Sequence, residues 1–253
     1  MTDNPAMHLL AQQLLAARQA NVTLDAIDSA YLPKNADDAY QVQRETLAAL
    51  GGAGAFKIGA KTPHDTPQYS PIPASKVWSA EEDVVYRDFA RVGLELEIAF
   101  RFKSELNASH AGLSDGEILE QIRQMMAVVE IVDSRYTHWP QVDKLAQLAD
   151  LQNNGALLVG DAAPYDPDFD FISPSMSFAC GPQVIFSGSA GNPAGDPRRL
   201  LIWWVRKWLA AGQVITPSSV VTTGSYTGIY WAPGPDEVIG EIEGVGRVAF
   251  HLI

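Results

Sequence analysis

The chain is poor in the residues that staple or anchor a protein. It has one cysteine, Cys180, so no disulfide can close within one chain, and neither CxxC nor a Cys/His cluster with zinc-ligand spacing occurs. No apolar run approaches the roughly 18 residues a membrane span needs. The opening stretch MTDNPAMHLLAQQLLAARQAN lacks a basic segment leading into an unbroken apolar one, so no signal peptide is read. Positive charge is scarce, with 18 Lys and Arg against 30 Asp and Glu and a net charge of −12. That balance argues against nucleic acid or an anionic membrane as the main partner, since both would be repelled. A small anionic substrate remains admissible if a local cation sits in its pocket. A cytoplasmic location is the expectation.

Familiar catalytic signatures are also missing. There is no GxSxG elbow, no phosphate-binding P-loop and no HExxH. GGAGAF, residues 51–56, lacks the third glycine of a dinucleotide fingerprint and reads as a turn that ends a helix.

Of the 253 residues, 47% are hydrophobic, enough for a sizeable core, while 16 prolines and 20 glycines are spread along the chain as in a loop-rich globular protein. One domain is expected, with a helical part over 1–52 packed on a β-rich part over 53–253. Asn4-Pro5 has the form of a helix cap followed by proline at the first helical position, and Leu9, Leu10, Leu14 and Ala17 recur at helical spacing. A second helix is expected over 36–50. SDGEILEQIRQMMA opens with Ser114 and Glu117 at capping-box spacing. Further helices are expected after Pro140 and from Asp196 to Gly212. Strands are expected over 54–59, 92–102, 127–135, 156–160 and 219–223, with a C-terminal hairpin turning at Gly244–Gly246. Segments 62–76, 161–175 and 187–197 read as loops. Strands and helices do not alternate regularly, which argues against a doubly wound or (β/α)8 plan. The class is α+β.

The chemistry-bearing signal is GLELEIAF, residues 93–100. On a strand, Leu94, Leu96, Ile98 and Phe100 share one face, and Glu95, Glu97, Ala99 and Arg101 the other. Two carboxylates at i and i+2 then project the same way, about 6–7 Å apart along the backbone. In MAVVEIVDSRY, Glu130 has apolar neighbours on both faces, and an ionised buried carboxylate is costly unless it is paired or metal-bound. Pairing with Arg135 or Lys57 is one solution. A hard cation such as Mg2+, Mn2+ or Ca2+ is the other, because an all-oxygen donor set suits those ions. Lys57 lies in the short apolar strand AFKIGAK, where a lysine is snorkelling, salt-bridged or chemically active.

FKIG, GLELEIAF, VVEIVDSRYTHW, LADLQNNGALLVG, GNPAGDPRRLLIWWVRKWLAAG, VVTTGSYTG and the closing GVGRVAFHLI follow one another in an order that resembles the 2-keto-4-pentenoate hydratase / 4-oxalocrotonate decarboxylase branch of the fumarylacetoacetate hydrolase superfamily. The resemblance spans nearly the whole chain. It implies a mixed, rolled β-sheet core, barrel-like, with flanking helices, and a divalent ion, Mg2+ or Mn2+. It implies Glu95, Glu97 and Glu130 as metal ligands, Lys57 as a catalytic residue and Ser225 near the substrate carboxylate, and its D…NG segment matches Asp150 and Asn154, candidates for binding substrate or for supporting the site. His64, in the loop just past Lys57, is a further candidate substrate contact by its position. The substrate implied is a small 2-oxo acid or its dienol, in aromatic catabolism. A hydratase is the first expectation. A 2-oxo-3-hexenedioate decarboxylase, an acylpyruvate C–C hydrolase or a non-catalytic 2-oxo-acid binder are the alternatives. For proton transfer near neutral pH, Lys57 would need a lowered pKa. The chain departs from the family pattern at YSPIPASKVW, where Ser75 stands where an acidic partner of the lysine is expected. No histidine–glutamate dyad of the hydrolytic members is found. Trp203, Trp204 and Trp208 do not fit a single core-facing stripe and suggest a subunit contact, so a homo-oligomer is expected.

Overall fold

The computed structural model describes residues 4–253. Two helices open it, α1 (Pro5–Ala20) and α2 (Ala36–Ala49). Asn4 accepts the Ala6 N–H and Asn21, in the left-handed conformation, ends α1. Asn35 accepts the Asp38 N–H, and Asp37 and Asp38 place negative charge at the N-terminus of α2, where the helix dipole favours it. Next come β1 (Ala53–Gly59), β2 (Gln68–Pro73), β3 (Val77–Ser79) and β4 (Gly93–Phe102). The short α3 (Asp115–Glu120) leads into β5 (Ile122–Val132), and α4 (Lys144–Ala149) into β6 (Asn154–Pro164). The rest is β7 (Ser175–Cys180), β8 (Gln183–Ser189), α5 (Arg198–Ala210), β9 (Val220–Ser225), β10 (Tyr230–Trp231), β11 (Glu237–Ile242) and β12 (Gly246–His251).

The larger sheet runs β2-β1-β9-β4-β5-β6-β3, with β10 on the end of β4; the smaller runs β12-β11-β7-β8. The larger sheet is mixed, since β1 pairs parallel with β9 and β3 with β6, while β4 and β5 are antiparallel. The α+β class and the curled sheet with flanking helices agree with the expectation. Leu94, Leu96, Ile98 and Phe100 face the main core, with Phe171, Phe178, Trp204 and Val248. Ala99 belongs to a second cluster on the opposite face with Ala55, Val128 and Leu157. The alternation read along β4 is therefore a division between two interiors. Met7, Leu10 and Leu14 of α1 pack with Ala39 and Val42 of α2 and Leu148 of α4 in a third cluster.

The two sheets approach closely at Gly160. A Cβ there would lie 2.3 Å from the Arg247 carbonyl oxygen and 2.6 Å from Val248 Cα, so β6 and β12 meet only because that position has no side chain.

Several segments differ from expectation. The stretch 62–76, expected as a loop, contains β2. The capping box at Ser114 and Glu117 forms, but the helix ends at Glu120 and the chain continues as β5. β6 extends to Pro164, and β7 and β8 occupy sequence that carried no strand signal. The three tryptophans of α5 also differ from expectation. Trp204 is fully buried, and Trp203 and Trp208 pack half-buried against the same cluster. Trp204 and Trp208 stack with ring centroids 5.6 Å apart, and Phe56 lies 4.8 Å from each. All three pack against the chain's own core, and Trp203 and Trp208 keep part of their surface exposed.

Candidate metal centre

The site is built on the inner strands of the larger sheet. Antiparallel pairing of β4 and β5 sets Glu95 directly opposite Glu130. Pairing of β4 with β9 sets Glu97 opposite Ser225, and Lys57 on β1 pairs with Thr222 on β9. On a flat sheet β1 and β5, with β9 and β4 between them, would stand roughly 14 Å apart. Curling brings their side chains together: Lys57 Nζ donates to Glu130 Oε1 at 2.5 Å. Carboxylate oxygens of Glu95, Glu97 and Glu130 all lie within 4.8 Å of one another.

Each carboxylate is oriented by a neighbour. Asn154 Nδ2 donates to Glu130 Oε1 at 3.0 Å. Glu97 Oε2 accepts from the Thr222 hydroxyl and, at 3.0 Å, from the Gly224 N–H. Gly224 has φ +88°, a conformation that favours glycine. Asn192 Nδ2 donates to the carbonyls of Thr223 and Gly224 at 2.9 and 3.1 Å, which holds that turn under Glu97. Lys57 Nζ also donates to the Gln152 carbonyl at 3.3 Å.

The electrostatics follow from crowding like charges out of water. Glu97 and Glu130 are buried and Glu95 is half-buried. Burial, then the Glu130 charge, pushes the Glu95 carboxyl up to about 7. Burial, then the charges of Glu130 and Glu95, pushes Glu97 up to about 8. For Lys57, burial acts to lower the pKa, but the charges of Glu130, Glu95 and Glu97 outweigh it and the net shift is upward. The direction is opposite to the one a lysine base requires, so the ammonium form is the one this environment holds.

The donor set fits a hard divalent cation. It offers only oxygen ligands, and with every group ionised the three carboxylates and one ammonium sum to −2. Glu130 Oε2 is buried without a hydrogen-bond partner, an arrangement that is costly unless a cation completes it.

A cleft of about 480 Å3 lies on the far side of the Gln152–Asn153 turn. Its lining includes Gly59, which shares a strand face with Lys57, and Gln152, whose carbonyl Lys57 touches. Lys61, Lys144, Gln68 and Gln147 supply polar walls.

The other residues named from the sequence fall in different places. Ser225 lies opposite Glu97, its hydroxyl donating to the Gly228 carbonyl at 3.2 Å. Asp150 does not present a free carboxylate to a ligand. It accepts from the Arg135 backbone N–H at 2.8 Å and Nε at 3.0 Å, with Arg18 at 3.5 Å. Arg135 is thereby occupied, and Lys57 is the partner that Glu130 takes. His64 is exposed on the loop whose next residues, Asp65 and Thr66, line the cleft. Ser75 is exposed in a short turn where its carbonyl accepts from Trp78 Nε1, and the acidic groups acting on Lys57 are the three glutamates. Thr222, Gly224, Asn192 and Gln152 were not singled out from the sequence. The run TTGS within 222–225 was the one usable signal, a glycine flanked by hydroxyl residues at the end of a strand.

No family model matches the chain. Solved structures do. The 4-oxalocrotonate decarboxylase of Pseudomonas putida G7, complexed with magnesium and adipate, superposes with a TM-score of 0.85 over 100% of this chain and 99% of its own, at 18% identity. A fumarylacetoacetate hydrolase family protein of Yersinia pestis CO92 matches with a TM-score of 0.56 over 79% of this chain and 91% of its own, at 15% identity. The fold is that of the fumarylacetoacetate hydrolase family. The fumarylpyruvate hydrolase of Pseudomonas aeruginosa, in complex with Mn2+ and pyruvate, matches with a TM-score of 0.58 over 79% of this chain and 88% of its own, at 12% identity. This fold accounts for the curl that gathers the glutamates on one face.

Proposed function

We propose that the protein is a divalent-metal-dependent lyase acting on a small 2-oxo acid, and that the reaction is decarboxylation of an unsaturated 2-oxo diacid such as 2-oxo-3-hexenedioate. The observation that carries the reading is the grouping of half-buried Glu95 with buried Glu97 and Glu130, Glu130 Oε2 having no hydrogen-bond partner among the described residues. Mg2+ or Mn2+ is the cofactor proposed, held by those three side chains. When bound, such an ion supplies positive charge that grips an organic carboxylate and draws electrons toward an adjacent 2-oxygen. The neighbour of matching length is a decarboxylase complexed with magnesium and adipate, a six-carbon diacid, which supports the substrate class.

The chain's own residues account for the rest. Lys61 and Lys144 line the cleft together with Asp65, and the two ammonium groups offset part of the negative charge that a dianion meets on entering an acidic protein. Loss of CO2 breaks the bond to the distal carboxylate, and the electron pair moves through the conjugated system to the 2-oxygen. The product then needs one proton. Lys57, whose Nζ lies against Glu130, is the residue that donates it and recovers one from solvent. Ser225, paired across the strands with Glu97, is the residue proposed to contact the substrate carboxylate.

Hydration of 2-hydroxypenta-2,4-dienoate is the second reading, supported by the order of the sequence motifs; it relies on the same electron sink and adds water to the conjugated ketone. The test is to incubate purified protein and Mg2+ with each compound, following ultraviolet absorbance and evolved CO2. Stoichiometric CO2 from the diacid is the expected result. Loss of the dienol without CO2 would select the hydratase, a cleaved acid from an acylpyruvate the hydrolase, and saturable binding without turnover a non-catalytic binder.

A further inference from the structure

Between α4 and β6 the backbone adopts a conformation that L-residues avoid. Leu151, Gln152 and Asn153 have φ of 49°, 50° and 59° in succession, and none is glycine. Each such residue is disfavoured by contact between its Cβ and the neighbouring carbonyl, and a run of them persists only where the surroundings over-determine it.

Those surroundings are explicit. Before the run, the buried Asp150 carboxylate is held by Arg135 through its backbone N–H and Nε, and by Arg18. After it, Arg135 Nη2 donates to the Asn154 carbonyl at 3.0 Å. Within it, the Asn153 carbonyl accepts from the Asp133 N–H at 2.8 Å, and Asn153 Oδ1 from the Ser134 hydroxyl at 2.9 Å. Arg135 is fixed in turn by Asp133 at 3.0 Å. One arginine therefore clamps both ends of the turn.

The turn delivers two contacts to the metal centre. The Gln152 carbonyl accepts from Lys57 Nζ at 3.3 Å, and Asn154 Nδ2 reaches Glu130 at 3.0 Å. A right-handed Gln152 would aim its carbonyl elsewhere and leave Lys57 with Glu130 alone. We propose that Gln152 is a positioning residue: its backbone carbonyl, held in a left-handed turn by the buried Asp150–Arg135 pair, fixes the Lys57 ammonium against Glu130. The proposal assigns Asp150 a role through that pair and not through contact with substrate. It rests on the reading that Lys57 handles the proton of the reaction.

The test uses full-length, Mg2+-loaded protein and three variants. Gln152→Val places a β-branched side chain where φ is positive and opposes the turn. Gln152→Gly removes the side chain but accepts the turn. Asp150→Asn weakens the clamp. Gln152→Val is expected to lower kcat at least tenfold with KM and Mn2+ affinity within twofold of the parent. Gln152→Gly is expected to keep kcat within about threefold. Asp150→Asn, where it folds, should resemble Gln152→Val. Nitrogen-15 spectra of the lysine ammonium groups give a readout independent of turnover. A Lys57 signal slowed in solvent exchange is expected in the parent and in Gln152→Gly and lost in Gln152→Val. Equal losses in the valine and glycine variants would assign the effect to the side chain and overturn the proposal. So would an unchanged Lys57 signal in Gln152→Val. If no 2-oxo acid is turned over, the reading of Lys57 fails while the spectra still decide whether the turn fixes its ammonium.

Discussion

At the scale of single residues, the account turns on how one ammonium and three carboxylates share a buried space. Lys57 occupies one oxygen of Glu130 and so competes with any cation for that carboxylate. Lys57→Ala is accordingly expected to bind Mn2+ at least as tightly as the parent, by calorimetric titration, while kcat falls by about 10²–10⁴, the usual contribution of a positioned proton donor. Normal turnover in that variant would remove Lys57 from the reaction. A pH dependence follows from the raised carboxyls. Glu95 and Glu97 titrate at about 7 and about 8, above the ordinary carboxylate value of about 4.3. Between those values the folded protein binds more protons than the unfolded chain, so this contribution to stability is present at low pH and is lost as pH rises toward 8. Thermal melts of metal-free protein from pH 5 to pH 8 should show a smaller fall in Tm for Glu97→Gln than for the parent. Equal slopes would mean that Glu97 is not the strained carboxyl described. Much of this was legible in the sequence. Two glutamates at i and i+2 on a strand, and a third between valines and isoleucines, were enough to single out the three carboxylates that the structure brings together, because side-chain alternation is a local rule. Thr222, Asn192 and Gln152 were not legible, since their contacts come from strands and loops distant along the chain.

At the scale of elements, strands with strong β-branched runs were found and weak edge strands were missed. β2 is QYSPIP and forms an edge of its sheet, where proline costs no ladder hydrogen bond on the open side. β8 is an edge as well, rich in serine and glycine. The capping box at Ser114 was read correctly, but the run Val128, Val129, Ile131, Val132 prefers an extended chain and cuts the helix short. The close approach of β6 and β12 gives a test at this scale. Gly160→Ala would drive a methyl group into the Arg247 carbonyl and is expected to destabilise by about 1–3 kcal/mol in chemical denaturation, with the slope of the transition unchanged. No loss of stability would mean that the two sheets are not in contact there.

At the scale of the whole molecule, an acidic chain of net charge −12 is proposed to bind an acidic substrate, which requires positive charge at the point of contact. Trp204 of α5 is fully buried while Trp203 and Trp208 are half-buried against the same core, and among the described residues no helix is long and apolar enough to cross a membrane. Helical spacing alone could not show that Phe56 of β1 packs on Trp208 and that Tyr69 packs on Trp203 and Trp208. A cation that binds only the folded state stabilises it by mass action, about 2.7 kcal/mol at a hundredfold excess over Kd. In a chain of this size that should raise Tm by roughly 5–10 °C.

The most direct measurement is calorimetric titration of Mn2+ into the metal-free protein and into a variant with Glu95, Glu97 and Glu130 all changed to Gln, with circular dichroism to establish that the variant is folded. One saturable site in the parent and none in the folded variant is the predicted result. A variant that takes up the ion with the parent's stoichiometry and affinity would contradict the account.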